Sequence, residues 1–80
     1  MGMATLRLFA SIREAAGTGS VAIEGATVAE VIEAAGVRFG AGFVELVPTC
    51  RVRVNGEPAL EADFVGDGDE VALLPPVSGG

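Results

Sequence analysis

The sequence predicts one α+β domain, with four or five short strands around a single well-formed helix. Three observations carry that expectation. Apolar residues alternate with others in the runs TLRLF, RVRV and EVALL, the period-2 pattern of half-buried strands. The segment from Thr27 to Ala35 instead spaces its apolar residues at helical intervals. The chain has 80 residues, half of them hydrophobic and dispersed in short runs, which suits one small core and no more.

Each element has its own local reason. Thr5-Leu6-Arg7-Leu8-Phe9 is a strand with Leu6 and Leu8 facing inward. Ser11 with Glu14 three residues later is a capping-box pattern for a short helix that Gly17 stops. Val21 and Ile23, alternating with Ala22 and Glu24, make a second strand. Thr27-Val28-Ala29-Glu30 is another capping box and opens the main helix, whose buried face is Val28, Val31, Ile32 and Ala35. Gly36 is placed to end it. Ala41 to Val47 is a candidate short helix ended before Pro48. Asn55-Gly56 after RVRV suits a two-residue type I′ hairpin turn. Asp67-Gly68-Asp69 is a polar turn, and Glu70 to Leu74 the last strand. The first and last strands are among the most apolar and are expected to lie centrally. No internal repeat or interdomain linker is visible.

Composition removes several chemistries. With no histidine, Ser-His-Asp and Cys-His nucleophile systems and histidine-based zinc sites are excluded. Eleven acidic residues against five arginines and no lysine disfavour a nucleic-acid partner, which requires a basic stripe. No apolar run approaches the roughly 20 residues of a membrane helix, and the start lacks a signal-peptide pattern. A soluble cytoplasmic protein with no membrane partner is expected. The single cysteine, Cys50, suits packing near the RVRV strand, with a redox or sulfur-relay role as the alternative. Asp67, Asp69 and Glu70 read as a solvated turn, since calcium-loop spacing is absent, and no metal site is expected. Gly40-Ala41-Gly42 reads as a loop, because Glu45 stands where a dinucleotide-binding loop needs its third glycine.

The closing residues LLPPVSGG are the strongest functional signal. Pro75 and Pro76 have no N–H to donate, so they end strand pairing and favour an extended stalk that projects Val77, Ser78, Gly79 and Gly80. A free α-carboxylate is an anion at neutral pH and a poor electrophile, so an enzyme using it must first activate it, for instance as an acyl-adenylate. Gly80 leaves its carbonyl open to an incoming nucleophile, and Gly79 lets the backbone lie in a narrow channel. The division expected is a domain over residues 1–74 and a flexible tail over 75–80.

DGDEVALLPPVSGG, Asp67 to Gly80, resembles the closing segment of the small subunit of molybdopterin synthase. LFASIREAAG, Leu8 to Gly17, resembles that subunit's first strand and short helix, and VNGE, Val54 to Glu57, its central hairpin. The Gly-Gly end and DGDE turn are shared with other sulfur carriers of the MoaD/ThiS type. Leu73 and Leu74 stand where aromatic residues are common in the molybdopterin branch, and the Arg-rich strand from Arg51 to Val54 is a second departure.

The resemblance implies a β-grasp, ubiquitin-like fold and a carrier mechanism. An adenylating enzyme similar to ubiquitin-activating enzymes would use ATP to join AMP to Gly80, and a sulfur donor protein would convert the adenylate to a thiocarboxylate. The tail, Pro75 to Gly80, would enter the pocket of the large synthase subunit and supply sulfur to a pyranopterin precursor. No cofactor would be held permanently, and the catalytic side chains would belong to the partner. Sulfur carriage toward cysteine, thiazole or a thiolated tRNA base, and conjugation of Gly80 to target lysines, remain the alternatives. A binding-only domain would leave the Gly-Gly end unexplained.

Alternation makes one further prediction. With Leu6, Leu8, Val52, Val54, Val71 and Leu73 inward, the outward neighbours are Arg7, Phe9, Arg51, Arg53, Ala72 and Leu74. Adjacent β-grasp strands would gather them on one face, a candidate interface rather than a merely solvated sheet.

Overall fold

Strands β1 (Met3–Leu8), β2 (Ser20–Glu24), β3 (Arg51–Val54), β4 (Glu57–Pro58) and β5 (Glu70–Leu74) form one mixed sheet in the order β2-β1-β5-β3-β4. This is a computed structural model that describes residues 2–76. β1 and β5 run parallel at the centre, while β1–β2, β5–β3 and β3–β4 are antiparallel. The two apolar strands are thus central, as the sequence predicts. Helices α1 (Ala10–Ala16), α2 (Val28–Phe39) and α3 (Ala41–Leu46), followed by a 3-10 turn at Val47–Thr49, cover one face. This is the β-grasp arrangement.

The core lies between that face and the helices. Leu6, Leu8, Ile23, Val71 and Leu73 enter it from the sheet, and Ile12, Val28, Val31, Ile32, Ala35 and Phe43 from the helices. All four positions expected on the inner side of α2 are there. No described helix is long and apolar enough to cross a membrane.

Thr27 caps α2 as read, but the return bond of the capping box falls one residue earlier, on Ala26. Thr27 Oγ1 accepts from the Glu30 N–H at 3.2 Å, and Glu30 Oε1 accepts from the Ala26 N–H at 2.9 Å. The next two orphan donors go to a loop, with Val28 N–H on Asp63 O and Ala29 N–H on Glu61 O. Asn55 and Gly56 take φ of 52° and 85°, the left-handed pair of a type I′ turn. Gly17 closes α1 in left-handed geometry at φ 77°.

Three further local expectations are corrected. Ser11 is not the cap of α1, because the chain enters that helix earlier, through Phe9 and a left-handed Ala10 at φ 51°, with the Arg13 N–H on Phe9 O. Gly36 does not end α2. A Cβ there would stand 2.9 Å from Val44 Cγ2, so this glycine lets α3 approach, and the helix continues to Phe39. Gly40 is the boundary instead, donating to Gly36 O at 2.9 Å. Ala41 and Gly42 therefore lie in α3 rather than in a loop.

The acidic turn is structural. Asp69 accepts from the Gly66 N–H at 2.9 Å and from Asn55 Nδ2 at 3.1 Å, while the Glu70 N–H donates to Asn55 Oδ1. Asp67 Oδ1 accepts from the Met3 N–H. The turn is thereby tied to both the hairpin and β1. Its hydrogen bonds, from Asn55 first and Gly66 second, hold the Asp69 carboxyl below its ordinary value of 3.8. A carboxyl lowered in the folded state stabilises above its unfolded pKa and loses that contribution as pH falls through the folded one. Asp69→Ala is expected to flatten the acid limb of the stability curve below pH 3.8, measured by urea unfolding across pH. An acid limb identical to that of the unsubstituted protein would show that Asp69 does not contribute.

Candidate functional site: the open sheet face beside the stalk

β1, β5 and β3 turn alternate side chains away from the helices. Their register places Arg7 and Arg53 on either side of Ala72, and Arg51 opposite Leu74. The small Ala72 side chain leaves the middle of this face shallow between two guanidinium groups. Phe9 lies one residue beyond β1, partly exposed, with the Arg7 guanidinium carbon 5.8 Å from its ring centroid. Three of the five arginines of an acidic chain therefore share one face with two exposed or half-exposed apolar groups.

The arginines are held differently. Arg7 Nη1 pairs with Glu70 Oε2 at 3.3 Å, both side chains being nearly half exposed. Such a pair contributes little to stability, but it neutralises Arg7 locally. Arg53 Nη1 donates to Gly56 O at 3.1 Å, which fixes its direction while leaving its charge uncompensated by a carboxylate among the described residues. A groove of about 450 Å³ runs along Thr49, Arg51, Arg53, Leu74, Pro75 and Pro76. The positive charge on this face thus concentrates at the root of the stalk.

Alternation locates Arg7, Arg51, Arg53, Ala72 and Leu74 on this side, with Pro75 half-buried and Pro76 exposed at its edge. Val77, Ser78, Gly79 and Gly80 lie outside the described residues. The structure adds Glu70 and Thr49 to the residues that alternation gathers. Glu70 shares the outward parity of Ala72 and Leu74, which was the available signal; Thr49 arrives through the 3-10 turn and had none.

Cys50 contributes no nucleophile here. It is half-buried against the core, and its Sγ lies 3.4 Å from Leu46 O. Burial raises its pKa, with a hydrogen bond from Thr49 acting weakly the other way, so the thiol stays protonated at neutral pH. The site's own side chains can bind and orient a partner.

A β-grasp domain whose central strand runs directly into Pro75 and Pro76, beside a basic and apolar face, has the frame of a ubiquitin-like protein. The chain belongs to the ThiS family, whose model matches residues 6–80. It is 37% identical over 84 aligned residues to small archaeal modifier protein 1 of Haloferax volcanii, covering 92% of this chain and 97% of that protein. A crystal structure of that modifier superposes with a TM-score of 0.88 at 32% identity, over 99% of this chain and 100% of the other. A Pyrococcus furiosus protein described as a candidate molybdopterin converting factor, subunit 1, matches at TM-score 0.84 and 30% identity, over 96% of this chain and 100% of that one. A chain of the Amycolatopsis orientalis BexX/CysO complex matches at 0.79 and 31%, covering 96% and 99%.

Proposed function

We propose that this protein is the sulfur-carrier small subunit of a molybdopterin synthase. The observation that carries the reading is the direct continuation of the central strand β5 from Leu74 into Pro75-Pro76 at the edge of the Arg51/Arg53 face, in a sequence that then runs Val77-Ser78-Gly79-Gly80. In the reaction, a Gly80 carboxylate oxygen attacks the α-phosphorus of ATP on a ubiquitin-activating-like enzyme and pyrophosphate leaves. Sulfide-level sulfur from a donor then bonds to the Gly80 acyl carbon, the mixed-anhydride C–O bond breaks and AMP leaves with its electron pair, giving the thiocarboxylate. A persulfide donor reaches the same product only with a thiol reductant that cleaves the intermediate S–S bond. In the large subunit, the thiocarboxylate sulfur bonds to a carbon of the pyranopterin precursor as an oxygen leaving group departs from that carbon. Water then cleaves the acyl C–S bond of the resulting thioester, leaving sulfur on the precursor and a carboxylate on Gly80. The partner supplies the acid–base groups, and this chain supplies the reacting terminus and the surface that positions it. The candidate converting-factor subunit from P. furiosus supports this branch. The A. orientalis complex supports recognition of such a domain by a partner protein.

A second reading is favoured by one observation, the 37% identity to a small archaeal modifier. There the activated Gly80 forms an isopeptide bond to a lysine of a target. Intact mass of the protein isolated from its own cells, without added reductant or amine, separates the two. A single oxygen-to-sulfur exchange mapped to Gly80, followed by precursor conversion with the large subunit, is the expected result. Free carboxylate together with lysine-linked adducts would replace the carrier reading with the modifier one. Conversion with a different acceptor only would move the protein to another sulfur pathway.

The open face makes its own prediction. Arg53→Glu reverses a fixed cation, and Leu74→Asp places a charge at the root of the stalk. Together they are expected to weaken both the adenylating enzyme and the large subunit by at least about 100-fold, of the order found when interface anchors are lost. Titration calorimetry reads this directly, and unchanged affinities for both partners would rule out the face as the docking surface.

A further inference from the structure

α2 and α3 enclose an apolar groove on the helix layer, on the far side of the sheet from Arg7 and Arg53. The carrier reaction makes no use of it. Glu33, Gly36 and Val37 form one wall at helical i, i+3, i+4 spacing; Val44, Val47 and Pro48 form the other, around a volume of about 450 Å³. That lies within the ~300–1,000 Å³ of ligand-sized clefts. Gly36 is its floor, since any Cβ there would crowd Val44. Val37 is 86% exposed and Val44 51%. A β-branched apolar residue on the open side of a helix serves neither helix propensity nor solubility.

The charges around the groove say what it fits. Glu33 lines it, and Glu45 is exposed beside Val44 on α3. Arg38 faces the other flank of α2, with Glu30 and Ala34 toward β2, its guanidinium carbon 5.8 Å from the Phe39 ring. The one charged lining residue of the groove is therefore a carboxylate, Glu33, with no opposing cation among its lining residues. A second copy of this chain, with net charge −6, would bring like charge to that carboxylate. Two helical walls with this spacing are the form that receives a third helix.

We propose that this groove docks an amphipathic helix of another protein, apolar along one stripe and flanked by lysine or arginine. The inference does not rest on the sulfur-carrier reading.

The test uses the whole chain, methyl-labelled, titrated by NMR with an amidated model helix of about 15 residues, long enough to be helical. It carries leucines at i, i+3, i+4 and i+7 and lysines alongside. Saturable shifts at the methyls of Val37, Val44 and Val47 are expected. Val37→Ser, at a position too exposed to threaten the fold, should weaken binding about tenfold, since one valine contact is removed. Replacing the lysines by glutamates should weaken it at least as much. The proposal is overturned by shifts spread over surface carboxylates without saturation, by equal binding of the glutamate helix, or by unchanged affinity in Val37→Ser. A dimer seen by sedimentation and dissociated by Val37→Ser also overturns it, by giving the groove to a second copy.

Discussion

On the proposed carrier mechanism, deleting Gly80 is expected to abolish sulfur transfer, to below detection, with the melting temperature unchanged. The separation follows from where pairing ends among the described residues: the last ladder partner in β5 is Leu74, opposite Arg51, well before Gly80 in sequence. Gly80→Ala is the more informative companion. It keeps the carboxylate and adds one Cβ beside the carbon that must accept a nucleophile. A displacement of about 1 Å at a reacting centre lowers rates by about 10²-fold, and adenylate formation followed by pyrophosphate release should fall by that order. A shortened chain that still delivers sulfur would remove Gly80 from the mechanism.

Phe43→Ala should produce the largest loss of stability. Phe43 is fully buried, with its ring centroid 5.4 Å from that of Phe39 in a tilted arrangement. Truncating a buried Phe costs about 3–5 kcal/mol. A domain of this size has roughly 0.05–0.15 kcal/mol of stability per residue, or about 4–12 kcal/mol. One substitution therefore removes a large share of the total, and denaturant unfolding should show a much lower midpoint at an unchanged slope. A loss below about 1 kcal/mol would mean that α3 is not anchored by this ring.

Phe43 also shows where sequence reasoning stops. Thr27 with Glu30 and Asn55 with Gly56 were legible because their hydrogen bonds and φ requirements are satisfied within a few residues. The inner side of α2 was legible because one period describes it. Phe43 sits in a six-residue helix too short to display a period, and its burial depends on α1 and α2 packing beside it. Gly36 carried a true local signal for a helix end that a non-local contact with Val44 outweighed. The same division holds at the candidate site. Strand parity gathered Arg7, Arg51, Arg53, Ala72 and Leu74, but the Arg7–Glu70 pair joins residues 63 apart and exists only in the parallel register of β1 and β5. The groove between α2 and α3 likewise belongs to neither helix alone.

The central place of β5 has a mechanical consequence. A partner drawing on the segment beyond Pro76 pulls along the axis of a strand laced to β1 on one side and to β3 on the other. Such a load must shear two ladders together, whereas an edge strand under the same tension would unzip one bond at a time. The domain would then act as a rigid handle, because tension applied beyond Pro76 meets a body that does not unravel one bond at a time.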